Sequence, residues 1–131
     1  MGMNVNFKLV ETFEHVGRKC AIVESNIFNG TSYNGYVQIV GRLIEIMYFD
    51  SNVTEAELTF QGNLSMFGLE GVYVGFDTCH SYNLEHPHTR TLAFVREQVK
   101  KLAEELNLLD VRMEIIEPKL LEGVVEEDAR T

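Results

Sequence analysis

GVYVGFDTCHSYNLEHPHTRTLAFVREQVKKLAEELNLL, residues 71–109, changes its hydrophobic period halfway along. Before Thr78 the side chains alternate: Val72, Val74 and Phe76 share one face of a strand, and Tyr73 shares the other with Gly75 and Asp77. After Thr91 the apolar residues Leu92, Val95, Val99, Leu102 and Leu106 fall at spacings of three and four. Arg96, Glu97, Lys100, Lys101, Glu104 and Glu105 take the solvated side. A strand therefore gives way to an amphipathic helix, with Thr89 or Thr91 placed to cap its start.

Upstream, the chain reads as strands. In NVNFKLVETF, residues 4–13, Val5, Phe7 and Leu9 lie at period two. Gly17 then breaks the pattern before KCAIVE, so residues 4–24 are expected to form a hairpin. Asn29-Gly30 and Asn34-Gly35 are turn dipeptides. YVQIVGRLIEIMYF, residues 36–49, follows as a long strand-forming run with Gly41 as a bend, and AELTFQG, residues 56–62, adds a further strand. Downstream of the helix, DVRMEIIE alternates as one more strand, Pro118 is placed to open a short helix, and the acidic end from about residue 123 frays. The expected fold is α+β, a single domain over residues 1–131, with an antiparallel-rich sheet followed by one long helix.

Composition supports a packed core, since 45% of the residues are hydrophobic and 10% aromatic. The 11 Lys and Arg stand against 20 Asp and Glu, a formal charge of −9, which disfavours nucleic-acid partners. No run reaches the length of a membrane span, and the first residues lack the apolar core of a signal peptide. Cys20 and Cys79 are not paired by any spacing, so free thiols in a cytoplasmic setting are expected. The long apolar runs exceed what one helix covers, which points to a homo-oligomer, a dimer or higher.

The junction between strand and helix gathers Asp77, Cys79, His80, His86, His88 and Arg90. A metal centre is one reading, because His80, His86 and His88 with Asp77 or Cys79 carry the donors zinc takes. Their spacing follows no finger or helix frame and Pro87 interrupts it, so loop histidines and no metal or other cofactor are expected. Nucleophilic catalysis is another. Cys79 and His80 are adjacent and point apart on a strand, which leaves distant His15 as the partner, so a buried thiol is the simpler reading. Ligand recognition is the third. A helix N-terminus favours an anion, Arg90 and Arg96 offer guanidinium groups, and Phe76 and Tyr82 offer aromatic faces. Against this, Phe76 reads more simply as a core residue, and Arg90 also reads as a solvated cap.

GVYVGFDTCHSYN followed by TLAFVREQVKKLAEEL resembles a family of small phage and prophage proteins. Their signature is an aromatic strand ending Gly-Phe-Asp-x-x-His, a polar loop and a Leu-rich helix. RKCAIV and ELTFQG resemble that family's Cys-containing and Leu-Thr-aromatic strands, so the likeness spans about residues 18–106. Only Gly75-Phe76-Asp77-x-x-His80 is distinctive. Where the family shows His-Gly-Gly, this chain has Glu55-Ala56-Glu57, so no role of that histidine carries over. The group is also similar to phage anti-Thoeris proteins. That likeness implies an oligomeric anti-defence protein, not an enzyme, that sequesters a cyclic ADP-ribose-type signal. The residues expected to line a ligand site are Phe76, Asp77, His80, Tyr82, Asn83, Arg90, Arg96 and Cys20. The alternatives are a small hydrolase or metalloenzyme using Asp77, Cys79 and His80, or a partner-binding protein without a small-molecule site.

Overall fold

The computed structural model describes residues 7–26, 30–40, 58–79 and 81–108. Among the described residues, five strands, β1 (Phe7–His15), β2 (Arg18–Ser25), β3 (Ser32–Ile39), β4 (Phe60–Asn63) and β5 (Val72–Phe76), make one antiparallel sheet in the order β1-β2-β3-β5-β4. A one-turn helix α1 (Ser81–Glu85) and a 3-10 turn (Pro87–Arg90) lead into the long helix α2 over 92–108. The α+β class read from the sequence is the one observed.

Helix α2 forms where the 3.6-residue period is strongest and buries that stripe on the sheet. Val95, Val99, Leu102, Ala103 and Leu106 pack with Cys20, Ile22, Val37, Val74 and Phe76. Each fully buried aliphatic side chain of this kind contributes roughly 1.5–3 kcal/mol, so α2 owes its stability mainly to this face. Thr91 caps the helix, its Oγ1 accepting the Phe94 N–H at 3.2 Å. Thr89, the other candidate cap, is instead buried and engaged elsewhere.

The β1–β2 hairpin turns at Val16-Gly17, with φ of +46° and +83°. That pair of positive angles matches the right-handed twist of the strands, and glycine adopts it without cost. A β-branched valine does not. Its carbonyl accepts from Asn107 Nδ2 at 2.9 Å, while Asn107 Oδ1 accepts from Arg18 Nε at 2.6 Å. The far end of α2 thus holds the turn.

Asn34-Gly35, expected to be a turn, lies inside β3. The correction has a steric cause. A Cβ at Gly35 would sit 2.4 Å from Val99 Cγ2 and 2.7 Å from the Phe76 ring. The glycine is there so that helix and strand can close over it, not to bend the chain. The run beyond residue 40, including Gly41, lies outside the described residues, as do the strand expected after α2, the helix after Pro118 and the acidic end. Among the described residues no helix is long and apolar enough to cross a membrane.

The face of the sheet turned away from α2 is buried as well. Ala21, Val23, Ser25, Ser32 and Tyr73 each expose 2% or less of their surface, and alternation places them opposite the α2 core.

Candidate functional site

Antiparallel pairing brings the last residues of β2 and β5 to the same end of the sheet as the first residues of β3 and β4. Ser25 pairs with Ser32, Gly35 with Phe76, and Phe60 with Gly75. Polar side chains collect at this end.

Asp77 follows the last residue of β5. Its Oδ1 accepts the Cys79 N–H at 3.0 Å and turns the chain off the sheet, and its Oδ2 accepts from Thr59 Oγ1 at 3.3 Å. Thr78 is tied to Tyr33, donating to its carbonyl at 2.8 Å and accepting its N–H at 3.3 Å. The Cys79 thiol lies 3.0 Å from the Ser32 hydroxyl. These contacts continue β5 along β3 by side-chain bonds after the ladder has ended.

The segment between β5 and α2, expected to be a polar loop, is locally folded. Asn83 Nδ2 donates to Thr89 Oγ1 at 2.8 Å, and that hydroxyl donates to the His86 carbonyl at 2.7 Å. Asn83 and Thr89 are both buried, so this latch sets where Arg90 enters the start of α2. His88 stacks edge-on against Phe94 at 5.5 Å and against His86 at 6.3 Å. Among the described residues no group of three or more His, Cys, Asp and Glu is gathered as a metal centre would need.

On the face away from α2, Tyr36 lies across Gly75, where a Cβ would stand 2.3 Å from its ring. This lets Tyr36 meet Phe60 edge-on at 5.4 Å across β5. Asn34 Nδ2 donates to the Tyr36 phenol at 3.4 Å. Burial pushes the Tyr36 pKa upward, and the nearby Asp77 charge adds to that, so the phenol stays protonated and available as a donor.

The residues expected to line a site separate into distinct places. Asp77, Asn83 and Arg90 stand at the polar end. Tyr82 falls within α1, and His80 lies outside the described residues. Three expectations are corrected. Phe76 exposes 1% of its surface and lies under α2, so it offers no face for stacking. Cys20 also exposes 1%, and burial pushes its thiol up to about 12, so it packs as a small apolar residue. Arg96 gives both arms of its guanidinium to Glu11, at 2.8 Å each, and fastens α2 to β1 rather than facing a ligand. His15, considered as a partner for Cys79, sits at the opposite end of the sheet with its Nε2 2.6 Å from Glu104 Oε2.

Sequence reasoning missed Ser25, Ser32, Asn34, Tyr36 and Thr59. The signal for Tyr36 was present, as an aromatic at the period-two position opposite in facing to Val37. Asn34 was hidden by its place in a turn dipeptide.

Arg90 differs from the other described arginines. Arg18 donates from Nη1 to the Gln38 carbonyl at 2.9 Å as well as to Asn107, and Arg96 is paired with Glu11. Arg90 Nε is buried with no hydrogen-bond partner. Its guanidinium lies against Gly30, where a Cβ would come within 3.5 Å of Nη2. No family model, curated protein or solved structure matches the chain.

Proposed function

We propose that this protein binds a small anionic ligand through Arg90 at the head of α2 and holds it without turnover. The class of ligand is a nucleotide-derived signal of the cyclic ADP-ribose type, as the likeness to phage anti-defence proteins implies. The observation that carries the reading is Arg90 Nε, a buried donor on a permanent cation with no acceptor. A buried polar group left unpaired is costly, and a phosphate oxygen is the acceptor whose geometry suits a guanidinium. The positive end of the α2 dipole adds to the attraction.

Holding without turnover is supported by the positions of the reactive groups. Asp77 is occupied in shaping the chain after β5, Cys79 is set against Ser32 among the described residues, and His15 is remote. The test is to incubate the protein with cyclic ADP-ribose isomers, remove free ligand, release the bound fraction by heat and identify it by mass spectrometry. Intact ligand is expected. Arg90→Ala should weaken calorimetric binding by roughly 1.5–3 kcal/mol, the worth of a charge-assisted hydrogen bond. Chemically altered nucleotide would favour the hydrolase reading. Unchanged affinity in folded Arg90→Ala would remove Arg90 from the site.

A further inference from the structure

We propose that the sheet face turned away from α2 carries a second, uncharged binding slot, in which Ser25 Oγ and Asn34 Oδ1 accept hydrogen bonds from a neutral, donor-rich group. Both atoms are buried and lack a hydrogen-bond partner within the protein. Ser25 exposes 1% of its surface and Asn34 9%. They are neighbours, because Ser25 pairs with Ser32 and Val23 with Asn34, which makes Ser25 and Asn34 diagonal partners on one face of adjacent strands. Buried polar atoms in native proteins are almost always paired, so two unpaired oxygens side by side mark a place where an outside group completes the bonding.

The chemistry of the slot follows from its atoms. Asn34 Oδ1 only accepts, and Ser25 Oγ can accept as well as donate, so the incoming group brings at least one donor. An anion is disfavoured by these acceptors and by Asp77, which alternation places on the same face of the sheet as Gly75. An ammonium ion is disfavoured because a hydroxyl and an amide oxygen do not neutralise its charge on burial. A neutral group with adjacent donors remains, which a vicinal diol or the amino edge of a heterocycle supplies. Tyr36 strengthens this, being two residues from Asn34 on the same face and bonded to it, with its ring and that of Phe60 forming an aromatic wall. The slot is argued from Ser25 and Asn34 alone and stands or falls apart from Arg90.

The experiment titrates the full chain with adenine, methyl β-D-ribofuranoside and adenosine, none of which carries phosphate. At least one is expected to bind, and both Ser25→Ala and Asn34→Leu should weaken that binding at least tenfold. Unliganded Ser25→Ala should melt at or above the wild-type temperature, because it removes only an unpaired buried oxygen, whereas Asn34→Leu also gives up the Nδ2 bond to the Tyr36 phenol. A structural role alone predicts the reverse for Ser25→Ala, a lower melting temperature. Binding of adenine but not the riboside assigns the heterocycle edge, and the opposite result assigns the diol. In the wild type, the Asn34 side-chain amide resonance should shift on titration, a readout that holds if a variant fails to fold. No binding at millimolar concentration, binding untouched by both variants, or a crystal structure with water alone between the two oxygens would overturn the proposal.

Discussion

Gly35→Ala tests whether α2 and β5 close over β3 as described. The new methyl would meet Val99 Cγ2 at 2.4 Å and the Phe76 ring at 2.7 Å, both far inside van der Waals contact. Neither neighbour has room to yield, since Phe76 exposes 1% and Val99 none. Overpacking of this kind costs about 1–3 kcal/mol, against which the lower chain entropy of alanine returns roughly 0.4–1 kcal/mol. A net loss of about 1–2 kcal/mol is expected. For a chain of this size that lowers the melting temperature by roughly 3–10 °C. Urea denaturation followed by circular dichroism measures it, and the companion variant is Val99→Ala. Removing the valine methyls alone leaves a cavity and destabilises on the order of 2 kcal/mol. In the double variant the methyl introduced at position 35 occupies the space the valine vacated. The two costs should then fall short of additivity by about 0.5 kcal/mol or more, within the usual range for touching residues of about 0.5–3 kcal/mol. Strict additivity, or a harmless Gly35→Ala, would refute the close approach and return Asn34-Gly35 to the surface turn its dipeptide suggests.

Two further predictions concern groups whose surroundings set their chemistry. Cys20, with its thiol pushed up to about 12 by burial, should resist iodoacetamide at about pH 8 in the native protein, while half-buried Cys79 is alkylated. Peptide mapping before and after denaturation reads this directly, and equal labelling of both thiols in the native state would contradict the core packing. Glu11 is held below its ordinary value of 4.5, first by its hydrogen bond to Arg96. Because the folded-state value is the lower one, the pair stabilises the fold above about pH 4.5 and loses that contribution as the pH falls below it. The melting-temperature gap between wild type and Glu11→Gln should therefore shrink in acid. It should be small throughout, as the pair is still partly open to solvent, and a gap that widens in acid would reverse the assignment.

The long helix was legible because its whole stripe from Val95 to Leu106 meets a single apolar face, which is the condition for a clean 3.6-residue period. The hairpin was legible from Gly17, though the positive φ of Val16 and its anchoring by Asn107 depend on a contact 91 residues away. The strands were legible in existence rather than in environment. Alternation along β5 assigns Val74 and Phe76 to one face correctly, but it also suggests that the other face is wet. Tyr73 at 2% exposure shows that it is not. A sheet buried on both sides loses the polar-out half of the period-two signal, so Ser25 and Ser32 read as strand ends in the sequence and are interior in the fold.

The same cause explains why the candidate site was only half readable. Arg90 was found because its position before an amphipathic run is a local property. The burial of its Nε without a partner was not, since that depends on tertiary packing such as the approach of Gly30 to its guanidinium. The choice between Phe76 and Tyr36 as the aromatic near a ligand is settled by register alone. Gly35 pairs with Phe76 on the face that α2 covers, and Tyr36 pairs with Gly75 on the face it leaves. A slip of β5 by one residue would turn Phe76 out of the core onto the slot face and Tyr73 into the core, while Tyr36 on β3 kept its place. Two small residues, Gly35 opposite the large Phe76 and Gly75 opposite the large Tyr36, are what make such a slip prohibitive, because each glycine would then receive a backbone neighbour without the ring that fills its space. The pairing of glycine with aromatic on both faces therefore fixes the register of β5 against β3 and, with it, the placing of Phe76 under α2 rather than beside Asn34 and Tyr36.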